Sequence, residues 1–126
     1  MKITLIFAAL ACTALPIVAL AETGPATAPA RVAVVVDIAT PPGITDDKIR
    51  TVMAQQTAQY AQVPGLIRKY FTIRPGHFGG IYYWSSKAAA EAWFNDTWHA
   101  RVKATYGTPG EVTYYDVPVA VDGVKP

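Results

Sequence analysis

The 126-residue chain holds one cysteine, two histidines and two methionines, and only 16% of its residues are charged. Each scarcity excludes something. One thiol cannot build a disulfide framework or a cysteine-rich zinc site. His77 and His99 stand far apart without an adjacent carboxylate pair, which makes a poor metal set. The formal charge of +2 falls by one if Lys2 is removed, too little to recruit nucleic acid or an anionic lipid surface. There is no glycine-rich phosphate loop, no dinucleotide fingerprint and no serine in a nucleophile elbow. Nucleotide-dependent and serine-hydrolase chemistries have no foothold here.

What is present begins with "MKITLIFAALACTALPIVALA" (residues 1–21). One lysine, an apolar run and a closing Ala19-Leu20-Ala21 are the three parts of a secretory signal peptide. Pro16 breaks the run and no basic cluster follows, so cleavage after Ala21 is expected rather than a retained anchor. Cys12, the only thiol, lies within this segment, and the apolar run continues beyond it, against a lipidation site. A thiol-free exported chain suits the periplasm or the exterior, with no membrane attachment after cleavage. Residues 22–30, "ETGPATAPA", read as a short disordered lead. Residues 31–123 are enough for one small domain.

Within that domain "RVAVVVDIA" (Arg31–Ala39) has the valine density of a central strand. Thr45, followed by Asp46 and Asp47, caps a helix expected to run to about Ala61. Val63-Pro64-Gly65 ends it. "LIRKYFTIR" (Leu66–Arg74) and about His77–Trp84 are strands joined by so short a turn that they must pair antiparallel. Ser85 or Ser86 caps a second helix expected to continue to about Ala104, and "EVTYYDVPVAV" is the last strand. The order βαββαβ predicts an α+β, ferredoxin-like fold: a four-stranded antiparallel sheet with two helices on one face. The other face, rich in aromatic and β-branched residues, is expected to pack on a second copy as a homodimer.

Strand alternation selects candidate site residues. Ile67, Lys69, Phe71 and Ile73 share the side of the second strand expected to face the helices. A lysine there either snorkels to an edge or lines a polar pocket, where it could hold the anionic oxygen of a phenolate or enolate. In the third strand Phe78, Gly80, Tyr82 and Trp84 share a face. Gly79 and Gly80 in a strand interior call for a close neighbour, whether helix, partner subunit or flat ligand. Tyr82 and Trp84 are candidates to stack on that ligand. Asp37, on the side of Ala33 and Val35, is expected to be buried or paired with a base such as Lys69, as a structural carboxylate or a proton acceptor. On the second helix, Trp93 and Trp98 are candidates to close a cavity, and His99 falls roughly opposite Trp93 and Phe94.

"VPGLIRKYFT", "GGIYYW", "ARVKATYG" and "YYDVPVAVDG" occur here in one order. In these segments the chain resembles the YdhR-like monooxygenase family, of the dimeric α/β-barrel superfamily of antibiotic-biosynthesis and haem-degrading oxygenases. The resemblance spans nearly all of Arg31–Gly123. It implies a dimeric α/β-barrel and an oxygenase acting on a small aromatic, phenolic or polyketide-like molecule without a tightly bound cofactor. Lys69 would then stabilise the substrate anion, with Tyr82, Trp84, Trp93 and Trp98 around the ring. Haem-degrading relatives bind iron through a histidine on the corresponding helix, which makes His99 the metal-ligating candidate if haem binds. Two alternatives stay open: an exported dimer that holds a small aromatic ligand or haem without turnover, and an interaction protein whose aromatics are only dimer core.

Overall fold

The computed structural model describes residues 29–126. The expected signal peptide (1–21) and nearly all of the lead (22–30) lie outside the described residues. The elements are β1 (Arg31–Ala39), α1 (Asp46–Tyr60), β2 (Leu66–Arg74), β3 (His77–Trp84), α2 (Lys87–Trp93), α3 (Asp96–Tyr106) and β4 (Glu111–Val117). The strands form one antiparallel sheet in the order β2-β3-β1-β4. Antiparallel βαββαβ in this order is the ferredoxin-like arrangement.

β1 takes the centre because both its faces are apolar. Val32, Val34, Val36 and Ile38 are buried beneath the helices, while Ala33 and Val35 are half-buried on the opposite face. Burying each of those four side chains contributes about 1.5–3 kcal/mol, which makes β1 the main fastening of the sheet. The registers Val34↔Tyr82 and Val34↔Tyr114 carry its alternation into both neighbours. Phe94 then sits over this surface, edge-on to Tyr82, Trp84, Trp98 and Tyr114 with ring centroids 5.1, 5.9, 5.0 and 6.4 Å away.

Two local features depart from the periodicity. β2 carries a bulge between Leu66 and Arg68. The extra residue turns Leu66 towards the core and leaves Ile67 exposed, reversing the facing that simple alternation assigns to both. From Lys69 onward the alternation holds, and Lys69 and Phe71 stand opposite Tyr82 and Gly80 on the helix side.

The expected second helix is two helices. α2 ends at Trp93, its C-cap Phe94 having a non-helical ψ of 51°, and Asn95 opens α3 by accepting a hydrogen bond from the Trp98 backbone N–H at 3.0 Å. A short amide side chain that can cap a new helix competes with continuing the old one. The break matters for what lies beneath it. In one continuous helix Trp93 and Trp98, five residues apart, would point about 140° apart. Here both face the same cavity.

Gly79 and Gly80 serve different ends. A Cβ on Gly79 would collide with the Val36 carbonyl oxygen, so this glycine lets β3 lie close on β1. A Cβ on Gly80 would meet Lys69 Cε at 3.2 Å and the Tyr70 carbonyl oxygen at 3.0 Å. The missing side chain of Gly80 is the space into which Lys69 folds.

Candidate functional site

A cavity of about 560 Å³ lies between the sheet and the helices. It exists because α1 does not seal onto the strands. Only Ile49 of α1 is buried, while Val52, Met53, Gln56 and Tyr60 on its sheet-facing stripe are half-buried and line the space. Phe71 and Tyr82 form part of the floor, and Trp93 and Trp98 part of the roof. Cavities of this size, mostly apolar with a few polar groups, take small molecules.

The charged groups have one sign. Lys48, Lys69 and Arg101 line the cavity, and no aspartate or glutamate does so among the described residues. Lys48 and Arg101 are exposed, whereas Lys69 is half-buried. Its Nζ lies 3.1 Å from the centroid of the Tyr60 ring, 3.9 Å from Phe71 and 4.6 Å from Tyr82. None of the ion pairs among the described residues involves it. Burial pushes the amine down from 10.5 to about 6. The three ring faces act the other way, since their negative quadrupoles favour an ammonium. The balance still lies well below an ordinary lysine, because cation–π attraction worth about 2 kcal/mol is smaller than the loss of hydration.

The surrounding phenols stay protonated. Burial raises both Tyr60 and Tyr82, the latter strongly. Their hydroxyls are therefore donors at every pH where the protein is used. The Trp93 indole N–H is buried with no acceptor among the described residues, an unmet donor on a residue that lines the cavity.

Of the residues singled out in the sequence, Lys69, Tyr82, Trp93 and Trp98 come together around this cavity. Three others do not. Trp84 is fully buried and stacked on Tyr82 at 6.2 Å, a core residue rather than a ligand wall. Asp37 lies on the opposite face of the sheet, so it cannot pair with Lys69. Its carboxylate instead contacts Arg74 Nη2 at 2.6 Å and His77 Nδ1 at 2.8 Å. Partial burial would raise the Asp37 carboxyl, but Arg74 and then His77 outweigh this and leave it lowered. His99 packs edge-on against Trp98 at 5.0 Å and does not line the cavity. No histidine lines it among the described residues, so haem iron would find no imidazole there.

Tyr60, Phe71 and Arg101 were missed as site residues. A signal for Tyr60 did exist: Gln56 interrupts the apolar i, i+3/i+4 stripe of α1, and a polar residue on a core-facing stripe marks a wetted wall. Nothing comparable marks Arg101.

Sheet, helices and the cavity between them together define a ferredoxin-like α+β protein of the antibiotic-biosynthesis-monooxygenase fold. Solved structures agree in fold. A Nitrosomonas europaea protein of unknown function superposes with TM-score 0.60 at 14% identity, covering 78% of this chain and 99% of that one. A haem-degrading protein of Mycobacterium tuberculosis gives 0.53 at 18%, covering 75% and 99%. A point mutant of SnoaB, a cofactor-independent oxygenase of Streptomyces nogalater, gives 0.52 at 16%, covering 74% and 98%. No curated protein matches the sequence. The family described as "Putative mono-oxygenase ydhR" matches residues 25–121, and the chain belongs to that family.

Proposed function

We propose that the cavity oxidises a small aromatic molecule carrying an acidic hydroxyl or enol, with dioxygen as oxidant and no tightly bound cofactor. The observation that carries this is Lys69: a half-buried amine, unpaired among the described residues, on the wall of an aromatic cavity that no described acid lines. A neutral amine there can take the proton of a bound phenol or enol. The ammonium so formed lies over the ring faces of Tyr60, Phe71 and Tyr82 and beside the new anion, so both charges are met as they arise. The electron-rich anion then reduces dioxygen. When a ring methylene becomes a carbonyl, one oxygen atom enters the product and the other leaves as water. The substrate supplies all the electrons, so no external reductant is required. The cofactor-independent oxygenase among the structural neighbours supports this economy of parts.

The same reading includes export and pairing. Residues 1–21 have the layout of a secretory leader, and periplasmic or secreted protein beginning at Glu22 would carry the mass of a cleaved chain. A full-length mass in the exported fraction would overturn that expectation. On the outer sheet face Tyr70, Ile81 and Tyr115 are 54%, 44% and 53% exposed, a patch suited to a second copy.

The test is dioxygen uptake by the purified protein with dihydroxynaphthalenes, anthrones and quinols, without added cofactor. Uptake above buffer that is lost in Lys69→Met, with the fold intact by circular dichroism, is the expected result. Uptake unchanged in Lys69→Met would remove Lys69 from the mechanism. No uptake with any of the three classes, while they still quench tryptophan fluorescence, would leave a carrier.

A further inference from the structure

Lys69 has chemistry available that proton transfer does not use. Lys69 forms part of the wall of a cavity of about 560 Å³. Its nitrogen lies over the rings of Tyr60 from α1, Phe71 from β2 and Tyr82 from β3. The other titratable or charged groups of the wall are Lys48 from α1 and Arg101 and Tyr106 from α3. None of them is a carboxylate that could hold the amine as an ammonium ion. Amines kept neutral by apolar surroundings are nucleophiles towards carbonyl carbon.

We propose that Lys69 is a covalent docking point, whose ε-amine condenses with the carbonyl of an aryl aldehyde or ketone bound in the cavity to form an imine. The nitrogen lone pair attacks the carbonyl carbon and a proton passes from nitrogen to oxygen, giving a carbinolamine. Its hydroxyl then leaves as water, with the departing oxygen protonated, and the C=N bond forms. Amine plus carbonyl gives imine plus water, with no oxidant or reductant. Tyr60 and Tyr82 are the protonated phenols nearest the nitrogen, suited to lend and recover the proton the leaving hydroxyl needs.

The aromatic cage favours this product. A protonated imine spreads its positive charge over C=N, and the rings at 3.1, 3.9 and 4.6 Å present their negative faces to that nitrogen. Lys48 and Arg101 give a carbonyl compound bearing a carboxylate or phenolate a second point of attachment. The chemical class is therefore an aromatic carbonyl compound with an acidic substituent. The site is the one proposed above for oxidation, but the imine step needs neither dioxygen nor turnover.

The probe is 2-hydroxy-1-naphthaldehyde with sodium cyanoborohydride, which fixes an imine as a secondary amine, read by intact mass and peptide mapping of the purified protein. At substoichiometric reagent the labelled chains should carry a single adduct each, on Lys69. At pH 7 an ordinary lysine is neutral in only about one molecule in 10³, so Lys69 carries an advantage on the order of 10²–10³ in reactive amine. Labelling of Lys69 should reach half its maximum below pH 8, whereas an ordinary lysine amine keeps gaining reactivity through pH 9.5. Lys69→Met, which keeps the length of the side chain but cannot condense, should lose the adduct and retain the fold. Adducts spread over the lysines without preference would overturn the proposal. So would a Lys69 profile that rises with those of the surface lysines. Because trapping needs no dioxygen, an adduct without oxygen uptake separates this inference from the oxygenase reading.

Discussion

Replacing Lys69 by methionine should make the protein more stable, and by an amount that depends on pH. The side chains are similar in length, so the cavity wall keeps its shape while the ionisable group disappears. The Lys69 amine is held down to about 6 by burial in the folded chain and returns to 10.5 when unfolded. Between those values the unfolded state binds one proton more than the folded state. Stability of the parent protein therefore rises with pH, by about 1.4 kcal/mol per unit from this group alone. The penalty is fully present below the folded value and vanishes above the unfolded one. At pH 7 it amounts to about 5 kcal/mol from burial, reduced to about 4 if the ring faces return 2 to the ammonium. Urea denaturation of both proteins at pH 7.5, 8.5 and 9.5 isolates the effect, because every other titrating group cancels in the difference. The advantage of Lys69→Met should shrink by about 2.7 kcal/mol across that range. A difference that stays constant with pH would refute the reasoning. It would mean that Lys69 remains an ammonium in the folded protein, either held by its three rings or swung out to water.

Three further outcomes are expected. Ile81→Arg places a charge in the centre of the exposed outer sheet face and should convert a dimer to a monomer in sedimentation velocity; an unchanged sedimentation coefficient would exclude that face as the interface. Gly80→Ala adds a methyl within 3.2 Å of Lys69 Cε and 2.9 Å of Tyr82 Cε2, and overpacking of about 1–3 kcal/mol should weaken binding of a dihydroxynaphthalene roughly tenfold or more by tryptophan quenching. Equal affinity would show that Gly80 does not make room for the site. Asn95→Ala removes the cap of α3 and should lower stability by about 1 kcal/mol in urea, whereas no change would deny the cap its role.

The strands were readable because valine and aromatic residues alternate with the sheet's own period, and the short connection at Pro75–Gly76 left one way to pair β2 with β3. The facing of Lys69 followed from that alternation, but its burial did not. Burial depends on Gly80 leaving a gap beside it and on Tyr60 arriving from α1, and neither relation lies within one element. Ile67 was placed on the wrong face because a bulge shifts the count by one without a mark in composition. Asp37 went to the wrong partner for a different reason. Which strand lies beside which end of β1 is a matter of register, and the turn at Pro75–Gly76 brings Arg74 and His77 to the Asp37 end. Asn95 resembles any polar residue on a helix surface until its side chain is seen accepting from Trp98.

The seam between Phe94 and Asn95 gives the fold a tolerance that an unbroken helix lacks. Inserting one residue into a continuous helix turns everything after it by about 100° and would sweep a lining tryptophan away from its ligand. At a capped break the second helix starts afresh from its own first hydrogen bonds, so rotational error is not passed on. Length changes at this one place can raise or lower the Trp98 side of the cavity roof while Phe94, just before the break, stays seated on Tyr82. A lineage that needs room for a larger ring system can thus find it by indels at a single joint, without redesigning the sheet beneath.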